Sequence, residues 1–213
     1  MRILSWNNPE TIDYVEKELH RGQVVLAEGD TVLGLLADVS EKGVAQLNYI
    51  KSRFAKPYLI LVGSSKKVFD FIEIDKRKMF QIEKLINGCW PGPVTLIFRA
   101  KKGVFEPAQS PEGTIAIRVP NHAGLLQLLS QFDALFSTSA NSSGAPVPSS
   151  IEQVDKVIMD AVACVVMNDA HEKEQSTVPS TIIDCTGEQL IVVRQGAFDV
   201  AKLADIMEVD LLL

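Results

Sequence analysis

Strand-like and helix-like segments alternate along nearly the whole chain, and this constrains the fold more than any single residue does. Arg2 to Trp6 reads as a short strand. Asn8 then offers an N-cap and Pro9 suits a first helical position, with Ile12, Val15 and Leu19 at helical spacing and Gly22 as the stop. Gln23 to Ala27 is a second strand. Ser40 is placed to cap a helix that turns Val44, Leu47 and Ile50 inward. Tyr58 to Val62 is a nearly continuous apolar run of strand length, as expected where both faces of a strand are covered.

The pattern continues. Asp75 is expected to cap a helix carrying Met79, Ile82, Leu85 and Ile86, which Trp90-Pro91-Gly92-Pro93 ends abruptly. Val94 to Phe98 and Thr114 to Val119 read as strands, and Asn121 as the cap of a helix through Leu129. Ala134 to Ser137 is a strand, Ile151 to Ala161 a helix and Cys164 to Met167 a strand. Thr181 to Cys185 and Leu190 to Arg194 form two strands around a Thr-Gly-Glu turn, before a helix over Phe198 to Met207. No composition break, repeat or low-complexity linker interrupts the series. The expectation is one α/β domain over residues 1–213, a twisted mixed sheet with helices packed on it.

Composition narrows the function classes. With 213 residues and 46% apolar content, the chain can bury a large core, which excludes global disorder. A net charge of −6 argues against a protein that coats nucleic acid by bulk electrostatics, while leaving room for a local basic groove. No run approaches the roughly 20 apolar residues that span a bilayer, and MRILSWNNPE lacks the marks of a signal peptide. No membrane association is expected. Cys89, Cys164 and Cys185 are odd in number, far apart and without metal-ligand spacing, so they read as buried thiols of a cytoplasmic protein. His20, His122 and His171 also lack ligand spacing. They read as surface or cap-adjacent residues.

Four segments carry the candidate chemistry. Glu28-Gly29-Asp30-Thr31-Val32-Leu33-Gly34-Leu35 is either a turn into a strand or a substrate loop, in which Gly29 permits close approach and Thr31 supplies a hydroxyl. Lys51-Ser52-Arg53 sits at a helix end. It either complements the helix dipole or clamps phosphate, with Arg as a planar fork and Lys as a compact charge. Ser137-Thr138-Ser139-Ala140-Asn141-Ser142-Ser143-Gly144 follows a strand and concentrates small hydrogen-bonding groups. Pro179-Ser180-Thr181-Ile182-Ile183-Asp184 taken alone is an ordinary strand start. Walker A, G-x-G-x-x-G, H-E-x-x-H and G-x-S-x-G patterns are absent from the sequence.

Taken in order, GDTVLGL, KSR, PGPVT, TIAIRVP, STSAN with its following Ser-Gly, PSTIID and VVRQGAF resemble the successive motifs of the YrdC-type threonylcarbamoyl-AMP synthases, from about residue 8 to residue 200. The Lys-x-Arg and Ser-x-Ala-Asn-x-Ser-Gly pair is the specific part. The resemblance implies a YrdC-like (RibB-like) fold with a concave active-site face. It also implies the activity: L-threonine, bicarbonate and ATP condense to threonylcarbamoyl-AMP and pyrophosphate, for modification of ANN-decoding tRNAs. ATP is then a substrate, with Mg²⁺ bound through its phosphates. The implied partners are a downstream threonylcarbamoyl transferase complex and tRNA. The competing reading is a non-catalytic RNA-binding module of the same fold, which steep salt dependence would reveal.

By the same resemblance, Lys51 and Arg53 hold the triphosphate and stabilise the transition state. Thr114, Ser139, Asn141 and Arg194 join them at ATP, and Thr31, Arg118, Ser137 and Ser180 meet threonine. Ser137 and Ser139 face one side if the segment stays extended. The chain departs from the family pattern where Glu28-Gly29 replaces Pro-Thr and Leu33 replaces an aromatic. It also departs at Pro57, Val62 and Val147, and at Pro179 where an acidic residue is common. Glu28 either meets the threonine ammonium or hydroxyl, or points away. The chain resembles the short, single-domain form of the family.

Overall fold

The architecture comes from a computed structural model that describes residues 2–52, 57–169 and 176–207. Among the described residues the strands are β1 (Arg2–Ser5), β2 (Val25–Ala27), β3 (Gly34–Asp38), β4 (Leu59–Leu61), β5 (Ile72–Glu73), β6 (Val94–Ala100), β7 (Thr114–Arg118), β8 (Leu135–Ser139), β9 (Cys164–Met167), β10 (Thr181–Asp184) and β11 (Ile191–Arg194). The helices are α1 (Glu10–His20), α2 (Glu41–Lys51), α3 (Ser65–Val68), α4 (Met79–Cys89), α5 (Ala123–Leu129), α6 (Lys156–Ala161) and α7 (Val200–Met207). All the strands join one mixed sheet in the order β1-β9-β2-β3-β8-β4-β7-β6-β10-β11, with β5 beside β6. β9 runs parallel to β1 and β2, whereas β2, β3, β8 and β4 are successively antiparallel.

Local chemistry explains most element ends. The Asn8 side chain accepts from the Glu10 amide at 3.0 Å and its carbonyl from the Thr11 amide, so it starts α1. Gly22 at φ +77° ends α1 in the left-handed conformation that an L side chain resists. Ser40 Oγ accepts from Gly43 N at 3.1 Å and opens α2.

Three expectations need correction. The cap of α5 is His122, whose Nδ1 accepts from Leu125 N at 3.2 Å. The Asn121 amide instead donates to Asp30 Oδ2 at 2.8 Å. Asp75 caps a turn ahead of α4, accepting from Arg77 N at 2.9 Å, and the helix itself starts at Met79. The segment Ile151 to Ala161 splits into a 3₁₀ turn (Ile151–Gln153) and α6, because Val154 is drawn extended into the core and Asp155 starts a new helix. Helix α3, strand β5 and a 3₁₀ turn at Glu106–Ala108 are too short to leave a periodic signal in the sequence.

The two faces of the sheet are covered unequally, and this creates the site. On one face, α2, α4, α6 and α7 pack over inward residues such as Leu35, Ile60, Val62, Leu96, Phe136 and Ile183. On the other, α1 and α5 cover Val25, Leu36, Leu61, Leu135, Cys164 and Val166, mainly at the β1-to-β4 side. Beyond the edge of α5 this second face is left open over β7, β6, β10 and β11. A concave floor of strand residues remains there.

Candidate active site

Strand alternation puts one row of side chains on that floor. Register pairs Gly34 with Ser139 and Leu36 with Ser137 across β3 and β8, then Leu61 with Arg118 across β4 and β7. It continues with Ala116 opposite Ile97, Thr95 opposite Ile182, and Ile182 opposite Arg194. The row lines a cleft of about 280 Å³, closed at one rim by Gly29, Asp30, Thr31 and Val32 and by Leu125 of α5. Thr31, Arg118, Ser137, Ser139, Ser180 and Arg194, from five separate segments of the sequence, all reach it. The segment after Phe136 does stay extended, so Ser137 and Ser139 share the cleft face as expected.

Arg118 is 6% exposed and is held by two groups from the first motif. Its Nη1 donates to Thr31 Oγ1 at 2.9 Å and its Nη2 to Asp30 Oδ1. Asp30 is fixed in turn by the Asn121 amide. Burial lowers the Arg118 pKa, and the Asp30 charge and hydrogen bond oppose that shift. Among the described residues Arg118 Nε is buried with no hydrogen-bond partner.

Arg194 enters from the last strand. Its Nε and Nη2 donate to the Ser180 carbonyl at 3.1 and 2.7 Å, and burial lowers its pKa. Ser180 Oγ lies 2.8 Å from Thr95 Oγ1. The turn behind Ser180 requires glycine at position 196, where a Cβ would sit 2.3 Å from the Pro179 carbonyl oxygen.

At the cleft's side, Lys51 ends α2 and is 3% exposed. Its Nζ donates to the Ser139 and Asn141 carbonyls, each at 2.6 Å, and to Asn141 Oδ1 at 3.1 Å. Ser139 Oγ also donates to Asn141 Oδ1, at 2.6 Å, while Asn141 Nδ2 donates to the Ala145 carbonyl. Lys51 thus joins the helix end to the Ser-rich turn, and Ser142 Oγ ties that turn to Asp155 at 2.6 Å. Lys51 and Asn141 stand beside the lining and touch it through Ser139.

Thr114 shares the cleft face of β7 but lies at its far end, bonded to Ser110 Oγ at 2.8 Å and outside the lining. Arg53 falls outside the described residues. Among the departures from the family pattern, Gly29, Pro57 and Pro179 line the cleft. Glu28 points away, its Oε2 accepting from Asn168 N at 2.6 Å. Leu33 and Val62, both 0% exposed, sit in the core on the opposite face, so the cleft-facing residues of that strand are Leu59 and Leu61. Val147 is half-buried and also outside the lining. Asp30 and Thr95 are site residues that the sequence reading did not single out. The signal for Thr95 was a lone hydroxyl inside the apolar run Val94 to Phe98, and for Asp30 a carboxylate two residues after Glu28 in the first motif.

The sequence model of the Sua5/YciO/YrdC family, described as telomere recombination, matches residues 17–196. The chain belongs to this family. A Methanocaldococcus jannaschii protein provisionally named a threonylcarbamoyl-AMP synthase is 30% identical over 209 residues, covering 96% of each chain. The Vibrio vulnificus threonylcarbamoyl-AMP synthase is 29% identical over 188 residues, 87% of this chain and 98% of that one. Among solved structures, Pyrococcus abyssi Sua5 complexed with L-threonine superposes with a TM-score of 0.85 at 25% identity, over 99% of this chain. The chain spans 62% of the length of that Sua5 protein. The YrdC-type reading and its α/β fold are therefore correct. Among the described residues no helix is long and apolar enough to cross a membrane.

Proposed function

We propose that this protein is an L-threonylcarbamoyladenylate synthase, condensing L-threonine, bicarbonate and ATP to threonylcarbamoyl-AMP and pyrophosphate. The observation that carries the reading is the convergence of Arg118, Arg194, Ser137, Ser139 and Ser180 on one cleft, in a chain that superposes on a threonine-bound relative. The curated relatives named for this activity favour the synthase over an RNA-binding module.

The reaction asks little of protein nucleophiles. The threonine amine and bicarbonate give N-carboxythreonine and water. A carbamate oxygen then attacks the α-phosphorus of ATP, the bond from that phosphorus to the bridging oxygen breaks, and pyrophosphate leaves. Two anions must be held together while charge builds on the leaving group, so positioning and fixed positive charge dominate. The positive charge of Arg118 and the hydroxyls of Thr31, Ser137 and Ser180 suit the threonine carboxylate and hydroxyl. Ser139, Asn141, Thr114 and Arg194 would serve the nucleotide, with Lys51 and Arg53 at the triphosphate. Lys51 would then act at once as a charge near the phosphates and as the tie that shapes the Ser139–Asn141 turn.

Mg²⁺ would neutralise phosphate charge when bound. Among the described residues no group of three or more His, Cys, Asp or Glu is placed to hold a metal. We read residues 1–213 as one YrdC-like domain, supported by the continuous sheet and the length of the family match. A cytoplasmic location, transient tRNA contact and hand-over to a threonylcarbamoyl transferase complex complete the proposal. Mass spectrometry with carbon-13 bicarbonate tests it: a labelled threonylcarbamoyl-AMP must form only when ATP and L-threonine are both present.

A further inference from the structure

Thr95 is fully buried on β6, yet it carries a hydroxyl on the cleft face rather than an aliphatic group. Among the described residues its Oγ1 has a single hydrogen-bond partner, Ser180 Oγ at 2.8 Å. Ser180 Oγ is also approached by Arg194 Nη2 at 3.4 Å, while that same guanidinium donates twice to the Ser180 carbonyl. An arginine can only donate. One lone pair of Ser180 Oγ is therefore turned toward a donor already.

Two proton arrangements remain for the Thr95–Ser180 contact. If Ser180 donates to Thr95, the Thr95 hydrogen is left in a site with no solvent access and no other acceptor, an orphaned buried donor. If Thr95 donates to Ser180, Thr95 satisfies itself, and the hydrogen left over belongs to Ser180, which is 3% exposed on the cleft lining. The second arrangement leaves the free hydrogen on the residue that keeps access to the cleft, where a ligand can accept it.

We propose that Thr95 is a positioning residue. It donates to Ser180 Oγ and so fixes the Ser180 hydroxyl as a donor toward a substrate oxygen in the cleft. With its lone pairs facing Thr95 and Arg194, Ser180 cannot accept from the substrate ammonium. The group it meets is an oxygen of the substrate: the threonine carboxylate or hydroxyl, or the carbamate of N-carboxythreonine. This rests on the synthase reading for the identity of that oxygen, whereas the proton order is a property of the protein alone.

Neutron diffraction from deuterium-exchanged crystals reads the proton order without any assumption about activity. Deuterium on Thr95 Oγ1 along the line to Ser180 Oγ is the expected result. Deuterium on Ser180 Oγ aimed at Thr95 overturns the proposal, whatever the protein catalyses. The functional consequence is read from pyrophosphate release by Thr95→Val, Ser180→Ala, the double variant and Thr95→Ser, each checked for a native melting transition. Thr95→Val should raise KM for L-threonine about tenfold, the loss of one oriented hydrogen bond, and leave KM for ATP within about twofold. Thr95→Ser should restore it. In the Ser180→Ala background Thr95→Val should add nothing, because its effect passes through Ser180. Multiplying effects, or failure of Thr95→Ser to restore KM, overturn the proposal. A wild-type protein with the expected proton order but no threonine-dependent release would instead count against the synthase reading.

Discussion

Lys51 Nζ lies 2.6 Å from the carbonyl oxygen of Asn141 and 3.1 Å from its side-chain oxygen, a contact that bridges 90 residues of sequence. The end of α2 and the Ser-rich turn after β8 are therefore one structural unit. Replacing Lys51 by Met removes a buried charge and takes its donor from three oxygens, of which Asn141 Oδ1 keeps Ser139 Oγ. The expected cost is about 2–4 kcal/mol of stability together with loss of turnover. Arg53→Ala should instead cut turnover by orders of magnitude with little loss of stability. Thermal unfolding beside steady-state rates separates the two. Normal activity in Arg53→Ala would remove the phosphate-clamp assignment.

The Asp30–Arg118 pair makes a second prediction. Both side chains are under 10% exposed, and Asp30 is the counter-charge for a guanidinium taken out of water. Asp30→Asn keeps the shape and removes that charge. It should destabilise the fold by about 3 kcal/mol and raise KM for L-threonine, as Arg118 loses its fixed orientation. A variant with unchanged unfolding and unchanged KM would show that Thr31 alone holds the arginine.

Gly29 takes the place of a threonine common in the family and lines the cleft. A Cβ there would meet Leu125 Cδ1 at 3.0 Å, the free end of a side chain that can rotate aside. Gly29→Thr should therefore fold, and by adding a hydroxyl to the threonine site it should lower KM for L-threonine. An unchanged KM would mean that Thr31 and backbone groups already suffice.

The cysteines give a prediction about pH. Burial raises the Cys89 and Cys164 thiols to about 12 and pushes Cys185 up as well. The folded state thus keeps protons that an unfolded chain releases near pH 9. Stability contributed by these thiols is complete below that pH and is lost as pH rises toward 12. At pH 8 an alkylating reagent should label none of the three in the native protein and all three in denaturant. Rapid native labelling of one would point to an activated thiol and overturn their reading as inert core residues.

The sequence carried the fold well where elements are long. Ile12, Val15 and Leu19 announced α1, and the apolar run at Tyr58 announced β4, because burial imposes a period that composition displays. It carried less where one residue overrides a pattern. Val154 breaks a helix by packing into the core, and His122, one residue after Asn121, supplies the cap because its Nδ1 is the side-chain acceptor that meets the Leu125 N–H. The site was legible as motifs and illegible as geometry. Nothing in the sequence says that Leu33 and Val62 face the core while Gly29 and Pro57 face the cleft, since that depends on strand phase. The Thr95–Ser180 contact joins positions 85 apart, and only the parallel pairing of β6 with β10 brings them together.

The central claim is adenylate formation on threonine, and pyrophosphate release from ATP by the purified protein with Mg²⁺ tests it most directly. The account predicts release that requires both L-threonine and bicarbonate and that is absent with either alone. Release driven by a different amino acid, or no release from a folded protein under any of these conditions, would contradict it.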